Sequence, residues 1–516
     1  MPKRLSISAQ VVHHGSDYVP SLLANRSPLC LDLAVEPAGA LPPEARLVVK
    51  ARELFSDARQ EWTGPIDAAQ ADGEGTLHLD LDARDLPLSP GCWHVLVDLT
   101  DADGRSLAGK DVGSVEVYAR RPEESTLHAR GSYNIARSEF AWDPAYGIYY
   151  SSYNPLIPPT GDPFDPADHE RHRRRFVTRE STWPELQHDG GLGFLMSACV
   201  FRALGEDKRA SLCEKVMRRT AGAITGVMYA GEGRLEAVDD VDKDRAHLGH
   251  CKQQDGFALK FLAQTAMYFR HGPGSDEGFA DEVMEKARPI FEYQIAQPLE
   301  PGCGECGCMV YDGRILAGLA WYCLAVRAAT GEYPGAGADP MVQRFAQLLA
   351  RQCLANRGWY DAGCLTEGEC HTWCGNMNLL NGLLPVRRML KDRLPAEGFR
   401  LFWPHIQAGI DDAFEFLGRT SGSVTGRMPF VPSRTSKWAA GNMFEICDEY
   451  LRQVRPDPSV EQIRKHLVHN SGSGIIECFH RNNTTGAVMM SCPEYQALAP
   501  RPPLPWDRAF VAEPPL

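Results

Sequence analysis

The sequence predicts a multidomain chain, an N-terminal immunoglobulin-like β-sandwich followed by a ring of α-helical hairpins, the (α/α)6 toroid. Two observations predict this fold class. Up to about residue 120, apolar and polar residues alternate with a period of two, which is typical of half-buried strands. From about residue 183 onward, apolar residues recur with helical period in units about 50 to 70 residues apart, which is typical of helical-hairpin arrays. An open solenoid is the structural alternative for the helical part.

The composition is that of a globular chain with more than one domain. The chain has 516 residues, of which 43% are hydrophobic and 23% charged, and its formal net charge is -13. This length exceeds that of an ordinary single domain. A nucleic-acid partner would need clustered Lys and Arg, and a membrane span would need a run of about 18 or more apolar residues. The chain has no apolar run of that length, and its one basic cluster, at residues 171–175, lies in a segment rich in Asp and Pro, so we expect no nucleic-acid and no membrane partner.

The N-terminal residues and the number of cysteines indicate in which cellular compartment the protein is expected. No apolar segment follows Lys3 and Arg4, so no secretory signal is predicted. Sixteen cysteines without such a signal are typical of a reducing compartment, where they stay thiols. We therefore expect a cytoplasmic protein, and the oligomeric state is not predicted.

Residues 1–120 are predicted to form the sandwich domain. A module of about 100 residues with short alternating strands suits such a sandwich. No convergent set of acids, bases or metal ligands lies in it, so we expect a support or docking domain. The predicted strands lie in RLVVKARELF, GTLHLDLDA, CWHVLVDLTDADG and KDVGSVEVYAR, and the last two are joined by a hairpin.

Residues 121–182 are predicted to form an irregular connector, rich in aromatic residues and proline, that packs on the toroid. Its aromatic density argues against a disordered linker. Trp142, Tyr149 and Tyr153 could stack on sugar rings, and plain packing is the alternative. The basic run at residues 171–175 is expected to be a solvated patch within a loop.

Residues 183–516 are predicted to form the toroid, which is the catalytic domain. Some helices are apolar nearly all round, as buried inner helices are, and more polar amphipathic helices lie between them. In such a ring, the inner helices begin at the same end, so their first residues, here called the openings, lie close together. The openings expected to face one pocket are His188, Asp189, Gln254, Asp255, Tyr311, Asp312, Arg314, Asn376, Asn378, Trp438 and Asn442.

Two inner-helix segments, YDGRILAGLAWYCLAVRAATGE and DGGLGFLMSACVFRALGED, resemble units of the six-hairpin glycosidase superfamily, over residues about 183–470. This resemblance implies a carbohydrate-active toroid enzyme. Within that superfamily, TEGECHTWCGNM is similar to the Glu-Cys loop of the β-L-arabinofuranosidase family, whose members hold a cysteine nucleophile on zinc. The resemblance implies that Glu369 and Cys370 ligate zinc. The family's tandem cysteine pair is missing, because the corresponding positions 437–440 read Lys-Trp-Ala-Ala.

A polar, cysteine-rich loop that begins at Tyr360 leads into an apolar helix and carries the main catalytic candidates. Glycosidic cleavage needs one protonated and one ionised carboxyl group. We expect Glu369, with Glu367 or Asp361, to supply them. The alternative for this loop is a segment with two buried structural cysteines. At Asp189, Asp255 and Asp312, a helix N-cap explains the residue equally well.

Further candidates lie around the predicted openings. His371, His250 and Asp255 are additional catalytic candidates, and His247 and His250 share one face if their segment is helical. An acidic loop at residues 239–244 lacks the spacing of a calcium-binding loop. The residues expected to bind substrate are Trp373 and Trp438 by stacking, and Tyr311, Arg314, Asn376, Asn442 and Tyr153.

The segment Cys303-Gly-Glu-Cys306-Gly-Cys308 has the spacing of a metal-binding knot. Its three thiolates would need a fourth zinc ligand, which Cys370, Cys374 or His371 supplies if the two loops meet. Unliganded thiols are the alternative. Carboxylate-pair hydrolysis requires no cofactor, and zinc is the one cofactor that the sequence suggests.

The sequence therefore predicts a glycoside hydrolase that cleaves oligosaccharides with a carboxylate acid/base pair in the toroid cavity. The first alternative is a polysaccharide or oligosaccharide lyase that acts on uronate by β-elimination. Tyr153, Asn154, His250, His371, Asn376 and Arg314 are its candidate residues. The second alternative is a non-catalytic helical scaffold that binds glycan or protein. Sugar identity, linkage and stereochemical outcome are not predicted.

Overall fold

The structure is a computed structural model. It describes residues 6–11, 22–24, 28–36, 42, 44–53, 58–66, 76–89, 91–118, 135, 138–150, 152–153, 165–179, 181–239, 246–247, 252–296, 312–334, 378, 380–389, 435–453, 456–458, 460–461, 479, 486, 489–490, 495 and 498.

The chain mixes helices and small sheets and divides into two compact units. The first unit comprises Met1–Ala141 and Asn154–Thr178, and the second comprises Trp142–Tyr153 and Arg179–Leu516. The segment predicted as a connector thus contributes to both units. The domain boundaries at residues 120 and 182 stay predictions.

The first unit contains eight described strands in two sheets. One sheet has the order β1-β3-β6, and the other has the order β2-β8-β7-β4-β5. Neighbouring strands are antiparallel except β2 and β8, which are parallel. The strands are β1 (Ser6–Val11), β2 (Leu22–Ala24), β3 (Leu29–Glu36), β4 (Arg46–Glu53), β5 (Arg59–Pro65), β6 (Thr76–Leu81), β7 (Gly91–Thr100) and β8 (Ser106–Tyr118).

Alternation along these strands builds one shared core. In β7, Trp93, Val95 and Val97 are buried, and in β3, Leu31 and Leu33 are buried in the same cluster. Since the side chains of both sheets meet in one hydrophobic cluster, the unit is a two-layer β structure. The four strands predicted by alternation and the β7–β8 hairpin are confirmed. The immunoglobulin-like assignment stays a prediction.

The expectation of an irregular stretch over residues 121–182 is wrong for part of it. Helix α1 covers Pro166–Phe176, so the basic run at residues 171–175 lies on a helix rather than in a loop. Asp165 caps this helix by accepting a hydrogen bond from the backbone N–H of Ala167 at 2.8 Å, and Pro166 occupies its first turn. Short strands also lie here, β9 (Trp142–Asp143), β10 (Ile148–Tyr149), β11 (Ser152–Tyr153), β12 (Val177–Arg179) and β13 (Ser181–Thr182).

The second unit carries most of the helices. They are α2 (Pro184–Ala203), α3 (Asp207–Thr225), α4 (Lys252–His271), α5 (Glu277–Ala296), α6 (Asp312–Thr330), α7 (380–389) and α8 (Thr435–Gln453). Four short strands accompany them, β14 (Tyr229–Gly231), β15 (Arg234–Leu235), β16 (Val238–Asp239) and β17 (Ala246–His247). None of the helices in the described ranges has the length and apolar character that a bilayer crossing requires.

Burial separates inner from outer helices, as the sequence predicts. Helix α2 is buried nearly all round, and so is α4 from Asp255 onward. Helices α3 and α5 each bury one face and expose the other, with Ala280, Val283 and Ala287 marking the buried face of α5. The outer segments predicted at residues 339–355 and 405–419 lie outside the described residues.

Helix α2 begins earlier than the sequence suggested. Its N-cap is Trp183 and its first residue is Pro184, so Asp189 lies in the second turn and is not an N-cap. Proline fixes the backbone for a first helical turn. The helix continues through Gly190 and Gly191. A Cβ added to Gly190 would lie 2.2 Å from the ring of Phe479, so this position has no space for a side chain.

Three inner helices approach one another closely at glycine residues. A Cβ added to Gly318 of α6 would lie 2.3 Å from the carbonyl oxygen of Gly256 on α4. A Cβ added to Gly191 of α2 would lie 2.4 Å from the ring of Phe261 on α4. Helix α4 therefore lies directly between α2 and α6.

The contacts continue through α7 and α8 and return to α2. A Cβ on Gly382 of α7 would lie 2.7 Å from a backbone oxygen of α6. Arg388 of α7 donates to Glu449 of α8 at 3.1 Å, and Asn442 of α8 donates to Asp189 of α2 at 2.9 Å. The helices α2, α4, α6, α7 and α8 thus contact one another in a cyclic order, which we call the inner ring.

Candidate functional site

Buried polar side chains from three helices of the inner ring, α2, α6 and α8, and the residue Asn378 are linked by contacts. We call His188, Asp189, Arg314, Asn378 and Asn442 the polar cluster. Each is at most 4% exposed, although each carries groups that water would otherwise hydrate. Burying such groups is costly unless they are hydrogen-bonded, so their arrangement determines what this part of the molecule can do.

Asp189 is the carboxylate of the polar cluster. Its Oδ1 accepts a hydrogen bond from Nδ2 of Asn442 at 2.9 Å and lies 2.8 Å from Nδ1 of His188. Asn442 lies 253 positions away from Asp189 in the sequence, whereas His188 is the adjacent residue. A carboxylate held in this way keeps a fixed position and is suited to accept a proton or attack a carbon centre.

His188 is completely buried and stacks on Phe257 of α4, with ring centroids 4.5 Å apart. Burial lowers its pKa well below the ordinary value, and the positive charges of Lys260 and Arg314 lower it further, while Glu185 opposes them. The imidazole is therefore neutral. A neutral ring that faces a carboxylate through Nδ1 carries its proton on Nδ1, which leaves Nε2 as an acceptor.

Arg314 joins α6 to the same cluster. Its Nη1 lies 2.6 Å from Oε2 of Glu185, and its Nε donates to Oδ1 of Asn378 at 3.3 Å. The guanidinium carbon lies 4.7 Å from the centroid of Phe257, a distance typical of a cation–π contact. The charge of Arg314 is thus already balanced within the protein.

A second buried layer lies one helical turn further along α4 and α8. Lys260 donates to Oε2 of Glu445 at 2.6 Å and to Oδ1 of Asn381 at 2.8 Å. Gln264 also donates to Glu445. Burial raises the pKa of Glu445, against the lowering effect of Lys260. This layer connects α4, α7 and α8 within the inner ring.

Asp255, a predicted catalytic residue, does not join the polar cluster. It accepts a hydrogen bond from Gln294 of α5 at 3.2 Å and another from the backbone of Leu235. Asp255 precedes Phe257 by two positions, and residues two apart do not share a helix face. Burial raises its pKa well above the ordinary value. Its contacts are those of a structural link between α4, α5 and β15.

Of the other predicted binding residues, the structure places Asn442 and Arg314 in the polar cluster and Trp438 in α8, with Tyr153 in β11. His247 lies in strand β17, so the helical condition under which it would share a face with His250 is not met at His247. The predicted residues that lie outside the described ranges are His250, Cys303, Cys306, Cys308, Tyr311, Asp361, Glu367, Glu369, Cys370, His371, Trp373, Cys374 and Asn376.

Within the described ranges, no group of three or more His, Cys, Asp or Glu side chains has the arrangement of a metal site. The predicted zinc ligands lie elsewhere in the chain, so zinc binding stays a prediction. Five buried cysteines carry thiols and form no disulfide, Cys30, Cys199, Cys213, Cys323 and Cys447.

Sequence reasoning missed the layer of Lys260, Gln264 and Glu445. A signal was present, because charged residues interrupt otherwise apolar helices in KFLAQTA and FEICDEY. Charged residues in a buried helix require a partner, and that requirement predicts pairing between such helices. Which helices pair depends on the order of the ring, which the sequence does not provide.

No protein-family model matches the chain, and no curated relative matches it. The resemblance to the β-L-arabinofuranosidase family therefore stays a prediction.

Several solved structures are similar to the chain at low identity, and glycoside hydrolases are among them. A family 76 glycoside hydrolase from a bovine Bacteroides thetaiotaomicron strain is 9% identical, with 92% of this chain and 98% of that chain covered, at a TM-score of 0.42. A β-1,2-glucanase from Parabacteroides distasonis is 10% identical, with 98% and 73% covered, at a TM-score of 0.38. Trypsin-activated alpha-2-macroglobulin from Escherichia coli is 11% identical, with 94% and 28% covered, at a TM-score of 0.34.

Proposed function

We propose that the chain is a glycoside hydrolase that cleaves oligosaccharides in the cytoplasm, with an immunoglobulin-like sandwich preceding an (α/α)6 toroid. The observation that supports this proposal most directly is the hydrogen bond between Asn442 and Asp189. It brings a carboxylate and an amide from two separate inner helices into one buried polar cluster. Closed clusters of carboxylate, amide, imidazole and guanidinium groups suit the recognition and cleavage of a polyhydroxylated substrate.

The proposed mechanism uses two carboxyl groups with different protonation. Asp189, which contacts Asn442 and His188, is the ionised member and acts as base or nucleophile. The protonated member, which gives its proton to the leaving oxygen, comes from Glu369, Glu367 or Asp361. Arg314 and Asn442 hold the polar cluster in position. The mechanism requires no cofactor.

Substrate binding in this proposal adds aromatic and polar side chains from the loops. Trp373 and Trp438 stack on sugar rings, while Tyr311, Asn376 and Tyr153 contact hydroxyl groups. A zinc-dependent variant of the proposal places Glu369 and Cys370 on the metal, with Cys374 and the knot at residues 303–308 as further thiolates. Metal content of the reduced protein and of Cys370→Ser separates the two variants.

Turnover on a panel of oligosaccharides tests the proposal, with release of reducing ends as the readout. Asp189→Asn and Glu369→Gln are each expected to lower kcat by about 10²- to 10⁴-fold, the range for loss of a general acid or base. Glu282→Gln is the matched control, since Glu282 is an exposed carboxylate of α5 that pairs with Lys286. Full activity in Asp189→Asn would contradict the role of Asp189, and full activity in both variants would contradict the carboxylate pair.

The same panel separates the two alternative functions. A lyase acting on uronate yields an unsaturated product with new absorbance near the ultraviolet edge, and hydrolysis does not. A glycan- or protein-binding scaffold shows binding without turnover on any member of the panel. Either result would replace the hydrolase proposal.

A further inference from the structure

We infer that Lys260 and Glu445 are positioning residues for the candidate site, because their ion pair fixes α4 and α8 relative to each other and thereby places two groups that contact Asp189. The pair is almost completely buried, with Lys260 0% and Glu445 3% exposed, and its Nζ lies 2.6 Å from Oε2. The inference rests on the proposed function, since it names the residues that orient the ionised carboxylate of that reaction. The pair acts through intermediates on each helix and needs no contact with substrate.

Helix α8 carries the first connection from the pair to Asp189. Asn442 and Glu445 lie three positions apart, so they share one face of α8. Asn442 donates to Oδ1 of Asp189 on α2 at 2.9 Å, while Glu445 accepts from Lys260 on α4. A single helical turn moves as a unit, because backbone hydrogen bonds join it to the next turn. A shift of α8 away from α4 therefore also moves Asn442.

Helix α4 carries the second connection. Phe257 and Lys260 also lie three positions apart, and Nζ of Lys260 lies 5.6 Å from the centroid of the Phe257 ring. The same ring stacks on His188, with centroids 4.5 Å apart and planes inclined by 26°. His188 in turn lies 2.8 Å from Oδ1 of Asp189 through its Nδ1. The position of the imidazole thus depends on the part of α4 that the ion pair anchors.

Both connections begin at one ion pair and end at one atom, Oδ1 of Asp189. A charge-assisted hydrogen bond is short and directional, so it defines the separation of two helices more narrowly than apolar contacts do. Further hydrogen bonds restrict the pair itself, since Lys260 also donates to Oδ1 of Asn381 at 2.8 Å and Gln264 also donates to Glu445. Apolar side chains would fill the same space at lower cost, so placement explains the pair better than packing does.

The charge of Lys260 adds an electrostatic effect to this placement. Burial lowers the pKa of His188 well below its ordinary value, and the charges of Lys260 and Arg314 lower it further, whereas Glu185 opposes them. A neutral imidazole donates from Nδ1 to Asp189 and brings no positive charge next to the carboxylate. Without the charge of Lys260, His188 takes up a proton at a higher pH.

Kinetics of the double variant Lys260→Met with Glu445→Leu, on an oligosaccharide that the wild type cleaves, test the placement. The apolar side chains keep the space filled, so the double variant is expected to be more stable than Lys260→Met alone. Its kcat is nevertheless expected to fall about tenfold with KM nearly unchanged, the effect of losing one well-placed hydrogen bond to a charged group. A merely structural role predicts instead that kcat recovers together with stability.

A second variant and a control accompany this measurement. Glu445→Asp keeps the charge and shortens the side chain, so it is also expected to lower kcat, and it gives an independent result if the double variant does not fold. The matched control is Lys286→Met with Glu282→Leu, which removes an exposed ion pair of α5 and is expected to leave kcat and KM unchanged.

Unfolding at two pH values tests the charge effect without turnover. The quantity measured is the extra drop in the free energy of unfolding, between about pH 7 and about pH 5.5, that a protein with His188 shows over its His188→Gln counterpart. This drop is expected to be smaller in the background of the Lys260→Met and Glu445→Leu double variant than in the wild type. The reason is that a higher folded pKa of His188 narrows the difference in proton binding between the folded and unfolded chain.

The outcomes separate this inference from the proposed function. Wild-type kcat in both the double variant and Glu445→Asp would overturn the positioning role and leave the hydrolase proposal standing. An equal His188-dependent drop in both backgrounds would overturn the connection from Lys260 to the imidazole. A smaller drop in the double variant, without turnover of any oligosaccharide by the wild type, would overturn the proposed function and leave that connection standing.

Discussion

At the residue scale, the environment of Asp189 depends on a partner 253 positions away in the sequence. Asn442 fixes one oxygen of the carboxylate, and His188 contacts the same oxygen from the adjacent position. Proximity in sequence predicts only the second contact. The sequence predicts Asp189 at a helix opening, whereas its contact with Asn442 depends on the order of the helices and not on its local segment.

The buried imidazole of His188 makes stability depend on pH. The folded pKa lies well below the ordinary value of 6.5, so the unfolded chain binds more protons once the pH falls below about 6.5. This contribution is absent above that pH and destabilises the fold progressively as the pH falls. Between about pH 7 and about pH 5.5, the free energy of unfolding is expected to drop about 1 kcal/mol more in the wild type than in His188→Gln.

Urea unfolding at the two pH values, followed by far-ultraviolet circular dichroism, measures this difference. The groups facing His188 are Asp189, Glu185, Lys260 and Arg314, and all four remain in the variant. An equal drop in both proteins would show that His188 does not stay neutral in the fold.

The Lys260–Glu445 pair gives a second prediction at this scale. Lys260 is 0% and Glu445 3% exposed, so removal of one partner leaves the other charge buried. Lys260→Met is expected to lower the free energy of unfolding by about 3–5 kcal/mol. The double variant Lys260→Met with Glu445→Leu is expected to recover most of that loss, because a buried pair can be replaced by apolar groups at little cost.

Thermal and urea unfolding of both variants check the Lys260 prediction. Lys286→Met is the control, since Lys286 pairs with Glu282 on the surface and such pairs contribute at most about 1 kcal/mol. A double variant no more stable than the single one would indicate that the lost stability comes from the hydrogen bonds of Asn381 and Gln264 and not from the unpaired charge of Glu445.

At the element scale, glycine sets how closely the inner helices approach. A Cβ at Gly318 would meet the backbone oxygen of Gly256, and a Cβ at Gly256 would meet the backbone oxygen of Arg314 at 2.4 Å. Backbone atoms cannot rotate away as a side chain does. The α4–α6 contact is therefore a place where the ring tolerates no added atom.

Gly318→Ala is accordingly expected to destabilise the protein by about 1–3 kcal/mol, although alanine favours helices by up to about 1 kcal/mol over glycine. Gly222→Ala on α3 is the matched control. Gly222 is exposed, and a Cβ there meets nothing within 4 Å, so this variant is expected to gain about 0.5–1 kcal/mol. Thermal unfolding distinguishes the two signs, and equal shifts would contradict close packing of α4 and α6.

The strands and helices also show which elements the sequence patterns predict and which they miss. Alternation predicted β4, β6, β7 and β8, because one face of each strand covers a core. Helix α1 was missed, since its composition is polar and basic and its start signal, Asp165 before Pro166, was assigned to a loop. The start of α2 was placed too late because Gly190 and Gly191 look like a turn, and only the neighbouring phenylalanine rings explain them.

At the scale of the whole molecule, the chain has two compact units with separate cores. Trp93 is 1% exposed in the β core and donates to the backbone of Ser89 at 2.7 Å. Trp93→Ala is expected to destabilise the first unit by about 3–5 kcal/mol. Scanning calorimetry is expected to show a lower transition for this unit and an unchanged transition for the helical unit, which Gly318→Ala lowers instead. A common shift of both transitions would contradict independent cores.

The cyclic contact order of the inner ring has a consequence for biosynthesis. Asp189 leaves the ribosome long before Asn442, so the seam between α2 and α8 stays open until most of the chain has been translated. During that interval the face of α2 that later contacts α8 has no neighbour in the inner ring. Such nascent chains expose apolar surface and are prone to aggregate. Chains truncated before residue 442 are therefore expected to engage molecular chaperones far longer than the complete protein.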